Sequence, residues 1–174
     1  MFHRGDYVTN AGMHCVWDTA AFADIKDYDS WAKSLLEDAD IKRQIEAGHF
    51  VPLNIGSDGA MAIEIRVGTN EAPAELSERE TQYLIVASQP YRLQSKGKIS
   101  LSGIEGVSGE PDAHAVLPLA AGQYSARAHL IAWDEEPGMQ TPDGPASDAL
   151  PDYIVLINPA AQGQPFRTEL GTFK

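Results

Sequence analysis

The sequence predicts a mainly β fold: an antiparallel β-sandwich with one helical insertion near the N-terminus. Three observations predict it. Short apolar runs recur with a two-residue period, Gly and Pro fall between them as punctuation, and one stretch alone, residues 29–47, has helical apolar spacing. No repeat or composition break divides the 174 residues, so a single domain spanning 1–174 is expected.

The elements follow in chain order. In Met13–Asp18, Met13, Cys15 and Trp17 fall on one face and His14, Val16 and Asp18 on the other, as in a half-buried strand. The helix over 29–47 is capped by Asp29 or Ser30 and stopped by Gly48. Its stripe of Trp31, Leu35 and Ala39 drifts at Asp40 towards Ile41 and Ile45, which allows two shorter pieces. Residues 49–55 and 60–67 flank Ser57-Asp58-Gly59, a hairpin signal, and Met61, Ile63, Ile65 and Val67 alternate cleanly with other residues.

A polar loop over 69–80 ends in the capping-box spacing Ser77–Glu80, which allows one helical turn. Thr81–Ser88 is a nearly continuous apolar strand, and residues 91–94 and 98–102 flank a second hairpin candidate at Ser95-Lys96-Gly97. After a Gly-rich loop over 103–114, Val116–Leu119 turns at Ala120-Ala121-Gly122 into a strand from Gln123 to Trp133. Residues 134–152 hold six acids and no base, which predicts a long exposed loop, and Tyr153–Ile157, apolar on both faces, a central strand.

Charge is the most unusual bulk property. Thirteen Lys and Arg stand against 25 Asp and Glu, a net charge of −12. Such a field repels nucleic acid and anionic lipid and speeds encounter with basic partners, so neither nucleic acid nor membrane is an expected partner. One cysteine, Cys15, excludes an internal disulfide. With no secretory pattern after Met1 and no apolar run near membrane-spanning length, a cytoplasmic location is expected.

Familiar chemistries find no footing. His3, His14, His49, His114 and His129 show neither helical pairing nor a metal motif, so no metal and no cofactor are expected. Cys15 shares the face of Met13 and Trp17, a core position rather than that of a nucleophile. Counted from Asp134 as a calcium loop, position five is Gly138 and position six Met139, where a ligand and a glycine are required. The glycines of 103–109 form neither a nucleophile elbow nor a phosphate loop.

The order of elements over residues 81–133 resembles the competence protein J family, inhibitors of a DNA-entry nuclease, or a bacterial family of the same type. The likeness lies in the apolar strand Tyr83–Ser88, the segment from Tyr91-Arg92-Leu93 to Lys98–Ile104, and the turn from Val116-Leu117-Pro118-Leu119 through Gly122-Gln123-Tyr124 into a strand ending at Trp133. It implies a nuclease-inhibitor or immunity-type binding protein and carries no functional residue over.

The expected function is therefore a small acidic protein-binding module, more a binder than an enzyme. It would meet a basic protein partner through Asp134, Glu135, Glu136, Asp143, Asp148 and Asp152. Two alternatives stay open: an enzyme whose site assembles only in space, and a small-ligand-binding β domain using aromatics such as Trp31 or Trp133.

Overall fold

The computed structural model describes residues 1–173. Its backbone is mainly β, as the period-two runs predict. Strands β1 (Phe2–Thr9), β2 (Met13–Asp18), β3 (Phe50–Asn54), β4 (Gly59–Val67), β5 (Leu84–Ala87), β6 (Tyr91–Gly103) and β7 (Val116–Ile131) come first. The two-residue strands β8 (Gln140–Thr141) and β9 (Gly144–Pro145) and then β10 (Tyr153–Pro159) follow. Among the described residues, eight strands join in one sheet of order β1-β4-β10-β7-β6-β2-β3, with β5 pairing β7, while β8 and β9 form a separate ribbon.

Two features depart from the predicted antiparallel sandwich. Hydrogen bonding runs through one continuous sheet rather than two, and β10 pairs β4 in parallel, Tyr153 opposite Ile63 and Ile157 opposite Val67. The parallel step follows from direction: β10 is antiparallel to β7, and inserting it between β7 and β4 leaves β4 pointing its own way.

The predicted hairpin at Asp58-Gly59 is also corrected. Gly59 has the positive φ that a tight turn uses (126°), but β3 pairs β2 whereas β4 pairs β1 and β10. Residues 10–12 and 55–58 thus each carry the chain from one end of the sheet order to the other. They lie side by side, a Cβ on Gly12 falling 3.6 Å from the Gly56 backbone. The His14 ring donates from Nε2 to the Tyr7 carbonyl at 2.8 Å and Thr9 Oγ1 donates to the Met13 carbonyl at 3.1 Å, so side chains stitch β1 to β2 where no ladder does. The sheet curls until its ends approach.

The second predicted hairpin is likewise a single strand. β6 runs on through Ser95-Lys96-Gly97, Gly97 at φ 124°, and β7 runs on through Ala120-Ala121-Gly122 with a bulge, Ala120 and Ala121 standing opposite the single Lys96. The true hairpin is β6–β7, joined by the Gly-rich loop.

The predicted helix is two helices, α1 (Tyr28–Leu35) and α2 (Asp38–Ala47), broken near the drift in the stripe. Asp27 rather than Asp29 or Ser30 is the cap: its carboxylate accepts from Ser30 N at 2.8 Å, and the Ser30 hydroxyl accepts from Asp27 N. Gly48 closes α2 at φ 77°. The capping box at Ser77–Glu80 forms as read, starting α3 (Glu78–Gln82), which leaves β5 shorter than the predicted strand. No helix of the described residues is long and apolar enough to cross a membrane.

Apolar clusters lie on both faces of the sheet. The larger contains Trp17, Phe50, Ile65, Tyr91, Leu101 and Tyr153, with Leu35, Ile41 and Ile45 of the helices. The smaller, Ile131, Leu150, Ile154 and Leu156, lies under Leu76, Tyr83 and Trp133. This is why β10 is apolar on both faces: odd residues enter one cluster and even residues the other. Cys15 is fully buried, its thiol donates to the Ser102 carbonyl, and burial holds it well above the usual thiol range.

Candidate functional site

The acidic segment is held at both ends, and two of its six acids do the holding. The Asp152 carboxylate accepts from the Trp133 indole at 2.8 Å and from Ala62 N at 2.7 Å, closing the segment onto β4. Glu136 takes both Arg79 Nε and Nη2 at 2.7 Å, and the same guanidinium reaches the Asp148 carbonyl at 3.0 Å. The base absent from 134–152 thus arrives from α3, fifty-odd residues earlier. Asp134, Glu135, Asp143 and Asp148 remain exposed, Asp143 beside the β8–β9 turn. The structure therefore splits the six into two structural and four solvent-facing carboxylates.

Of the two tryptophans named for the ligand-binding alternative, Trp31 lines a shallow pocket of about 380 Å³ with Ile25, Tyr28 and Val107. Trp31 donates to the Ile104 carbonyl at 3.0 Å and Trp133 to Asp152, and both are half-buried. The exposed aromatic there is Tyr28, stacked on Trp31 with centroids 5.9 Å apart.

A separate surface feature is a groove that neither tryptophan lines. An open groove of about 970 Å³ runs over the outer face of β7 and β10, floored by Ser125, Arg127, His129, Leu156 and Asn158. This places it at the size of small-molecule and peptide sites. One wall is the loop at residues 74–76, fixed twice. Asn158 clamps Ala74, Oδ1 accepting from its N–H at 2.7 Å and Nδ2 donating to its carbonyl at 3.1 Å. Arg66 donates to the Glu75 carbonyl at 3.0 Å while gripping Glu64 and Glu80, which are 3% and 5% exposed.

The other wall is residues 164–169. Arg167 N donates to the Pro90 carbonyl at 2.8 Å, Arg167 Nε to the Tyr91 hydroxyl at 2.9 Å, and Gln164 Nε2 to Ser125 Oγ at 2.9 Å. Phe166 lies under the Arg92 guanidinium, 5.2 Å from ring centre to cation. Both walls are thereby set before any ligand arrives.

The groove's lining balances two carboxylates, Glu75 and Glu169, against two guanidiniums, Arg127 and Arg167. Arg127 is exposed at the floor, hydrogen-bonded only from Nε to the Ser88 carbonyl at 3.1 Å, and no carboxylate forms an ion pair with it among the described residues. Glu169 on the rim is paired to Lys42 at 3.4 Å. His129 is 5% exposed; burial, with Arg127 and Arg66 nearby, pushes its imidazole below the usual range, so the ring is neutral near pH 7. Since a carbonyl only accepts, Nδ1–H donates to Ile154 O at 3.1 Å, leaving the lone pair on Nε2. The other histidines are dispersed: His3 meets the Tyr7 hydroxyl, His14 the Tyr7 carbonyl and His49 the Gln44 amide. No group of three or more His, Cys, Asp or Glu side chains is placed to hold a metal among the described residues.

Sequence reasoning assigns no role to Arg127 and His129. Their partners in the groove lie in segments roughly fifty residues before and forty after them, and no local pattern links those segments.

No family model matches the sequence, and no curated relative matches it. Solved structures do. The product of crocagin biosynthetic gene J superposes with a TM-score of 0.57 at 14% identity, over 92% of this chain and 99% of that one. ComJ from Bacillus subtilis superposes with a TM-score of 0.51 at 10% identity, again over 92% of this chain and 99% of that one. The likeness first read in residues 81–133 therefore extends across nearly the whole chain, which shares the fold of ComJ, the inhibitor of the DNA-degrading activity of NucA.

Proposed function

We propose that this chain is a protein-binding module of the inhibitor or immunity type, a single cytoplasmic bacterial domain that engages a basic protein. The shared fold with ComJ, an inhibitor of a DNA-degrading activity, is the observation that carries the proposal. The net charge of −12 supports it, as do Asp134, Glu135, Asp143 and Asp148, exposed on a segment pinned at both ends. Charge presented from a fixed segment attracts a cationic surface without ordering a loose tail, and it acts mainly on association rate.

The test is affinity capture of partner proteins on the purified chain at low and high salt, followed by association kinetics of wild type and a D134N/E135Q/D143N/D148N variant. A basic protein should be retained at low salt and released at high salt. The variant should associate about tenfold more slowly at low salt with unchanged folding. Retention of nothing at low salt, or of an acidic protein only, overturns the proposal; equal on-rates move the interface away from this segment.

A further inference from the structure

We infer that the groove over β7 and β10 is a binding site for a ligand carrying a carboxylate, anchored by Arg127. This site is distinct from the acidic segment and does not depend on the inhibitor assignment.

The case begins with the molecule's charge. In a chain with twelve excess negative charges, an exposed arginine would be expected to find a carboxylate. Yet Arg127 pairs with neither carboxylate of the lining, Glu75 or Glu169, while the cations around it are engaged, Arg92 by stacking on Phe166. Arg66 holds Glu64 and Glu80, Lys42 holds Glu169, and Arg167 spends its guanidinium on Tyr91 and Gly171. Arg127 is different: Nε is committed to Ser88, which fixes the orientation of the guanidinium, and both Nη groups keep their N–H donors. Such a fork matches the two oxygens of a carboxylate, and Nε anchoring removes much of the entropy cost of holding it ready.

The surroundings suit an organic acid better than a bare ion. Leu156, Phe166, Pro90 and Pro165 supply apolar surface, while Ser125, Asn158 and Gln89 supply neutral donors and acceptors. A volume of about 970 Å³ is far larger than a carboxylate alone needs. The shared chemistry is therefore a carboxylate on a partly apolar body, whether the C-terminus of a peptide or a free small acid.

Two probes separate these sources: N-acetyl-Ala-Leu-Phe and 4-phenylbutyrate, each set against its own primary amide. Binding is followed by amide chemical-shift mapping and titration on wild type, Arg127→Gln and, as a control outside the groove, Asp134→Asn. At least one acid should shift resonances of Ser125, Arg127, His129 and Phe166, and its amide should bind about tenfold more weakly, the loss expected for one charge-assisted contact. Arg127→Gln should show the same loss with an unchanged thermal midpoint, and Asp134→Asn should match wild type. Which acid binds identifies the source. If neither acid perturbs the groove, if the amides bind equally well, or if Arg127→Gln binds like wild type, the assignment is wrong.

Discussion

Two segments pack on the same outer face of the sheet, 69–80 and 134–152, and each is tied down by one arginine. Arg66 ties the first through Glu80 and the Glu75 carbonyl while also pairing Glu64 beside it on β4, both carboxylates buried. Arg79 ties the second through Glu136, whose side chain is 15% exposed, and the Arg79 side chain itself is 41% exposed. The chemistry is the same and the burial is not. Where the carboxylates are removed from solvent, the arginine cannot leave without stranding charge. Where the guanidinium itself stands near water, solvent reaches the pair and replaces the partner. The first tie fixes a wall of the groove, and the second steadies a segment of which Asp134, Glu135, Asp143 and Asp148 stay hydrated.

The largest effect should come from breaking the buried tie. Arg66→Met leaves Glu64 and Glu80 unpaired and should cost about 3 kcal/mol in urea unfolding, the low end of what losing one partner of a buried pair costs. A loss below about 1 kcal/mol, the surface range, would remove the distinction drawn between the segments.

Acid should weaken the same tie. Burial raises the Glu80 carboxyl, but hydrogen bonds from Arg66 and from the Ser77 amide and hydroxyl outweigh it and hold the group below its ordinary 4.5. A carboxyl depressed on folding contributes stability above the unfolded value, and that contribution disappears as pH falls through the folded one. Glu80→Gln should therefore be less stable than wild type at neutral pH, with the gap narrowing below about pH 4.5. A gap that stays constant from neutral pH to pH 3 would assign the loss to packing.

The smallest effect belongs to the exposed tie. Arg79→Ala should leave the urea midpoint indistinguishable from wild type, while exchange of backbone amides in 134–148 quickens as the Asp148 carbonyl loses its donor. A clear shift in midpoint would make the two arginines equivalent.

Much of the fold is legible wherever the deciding force is local. Alternation in β4, the capping box at Ser77, the break in the helical stripe and the two-faced apolarity of β10 all reflect short-range chemistry. Connectivity is not local. Gly59 and Gly97 adopt the backbone angles of turns, but one closes a crossover and the other lies opposite a bulge, because pairing partners are selected by burial across the sheet. The half-buried reading of β2 fails for the same reason: all six residues are buried once the sheet curls over them. In the acidic segment, composition shows the acids but not that Glu136 and Asp152 are committed inward. The groove is the least legible feature, since a lone Arg127 acquires meaning only when residues 74–76 and 164–169 converge around it.

The place of β10 in the strand order has a consequence for synthesis. It separates β4 from β7, yet it lies some ninety residues after β4 in the chain. While the polypeptide emerges from the ribosome, β1–β4 and β6–β7 can pair as two separate pieces, each presenting an open strand edge. Only when residues 153–159 clear the exit tunnel can the pieces merge, so the nascent chain carries unpaired edges through most of translation. Strand β10 is the keystone, and a chain shortened ahead of it would be left with two adhesive borders and no means of joining them.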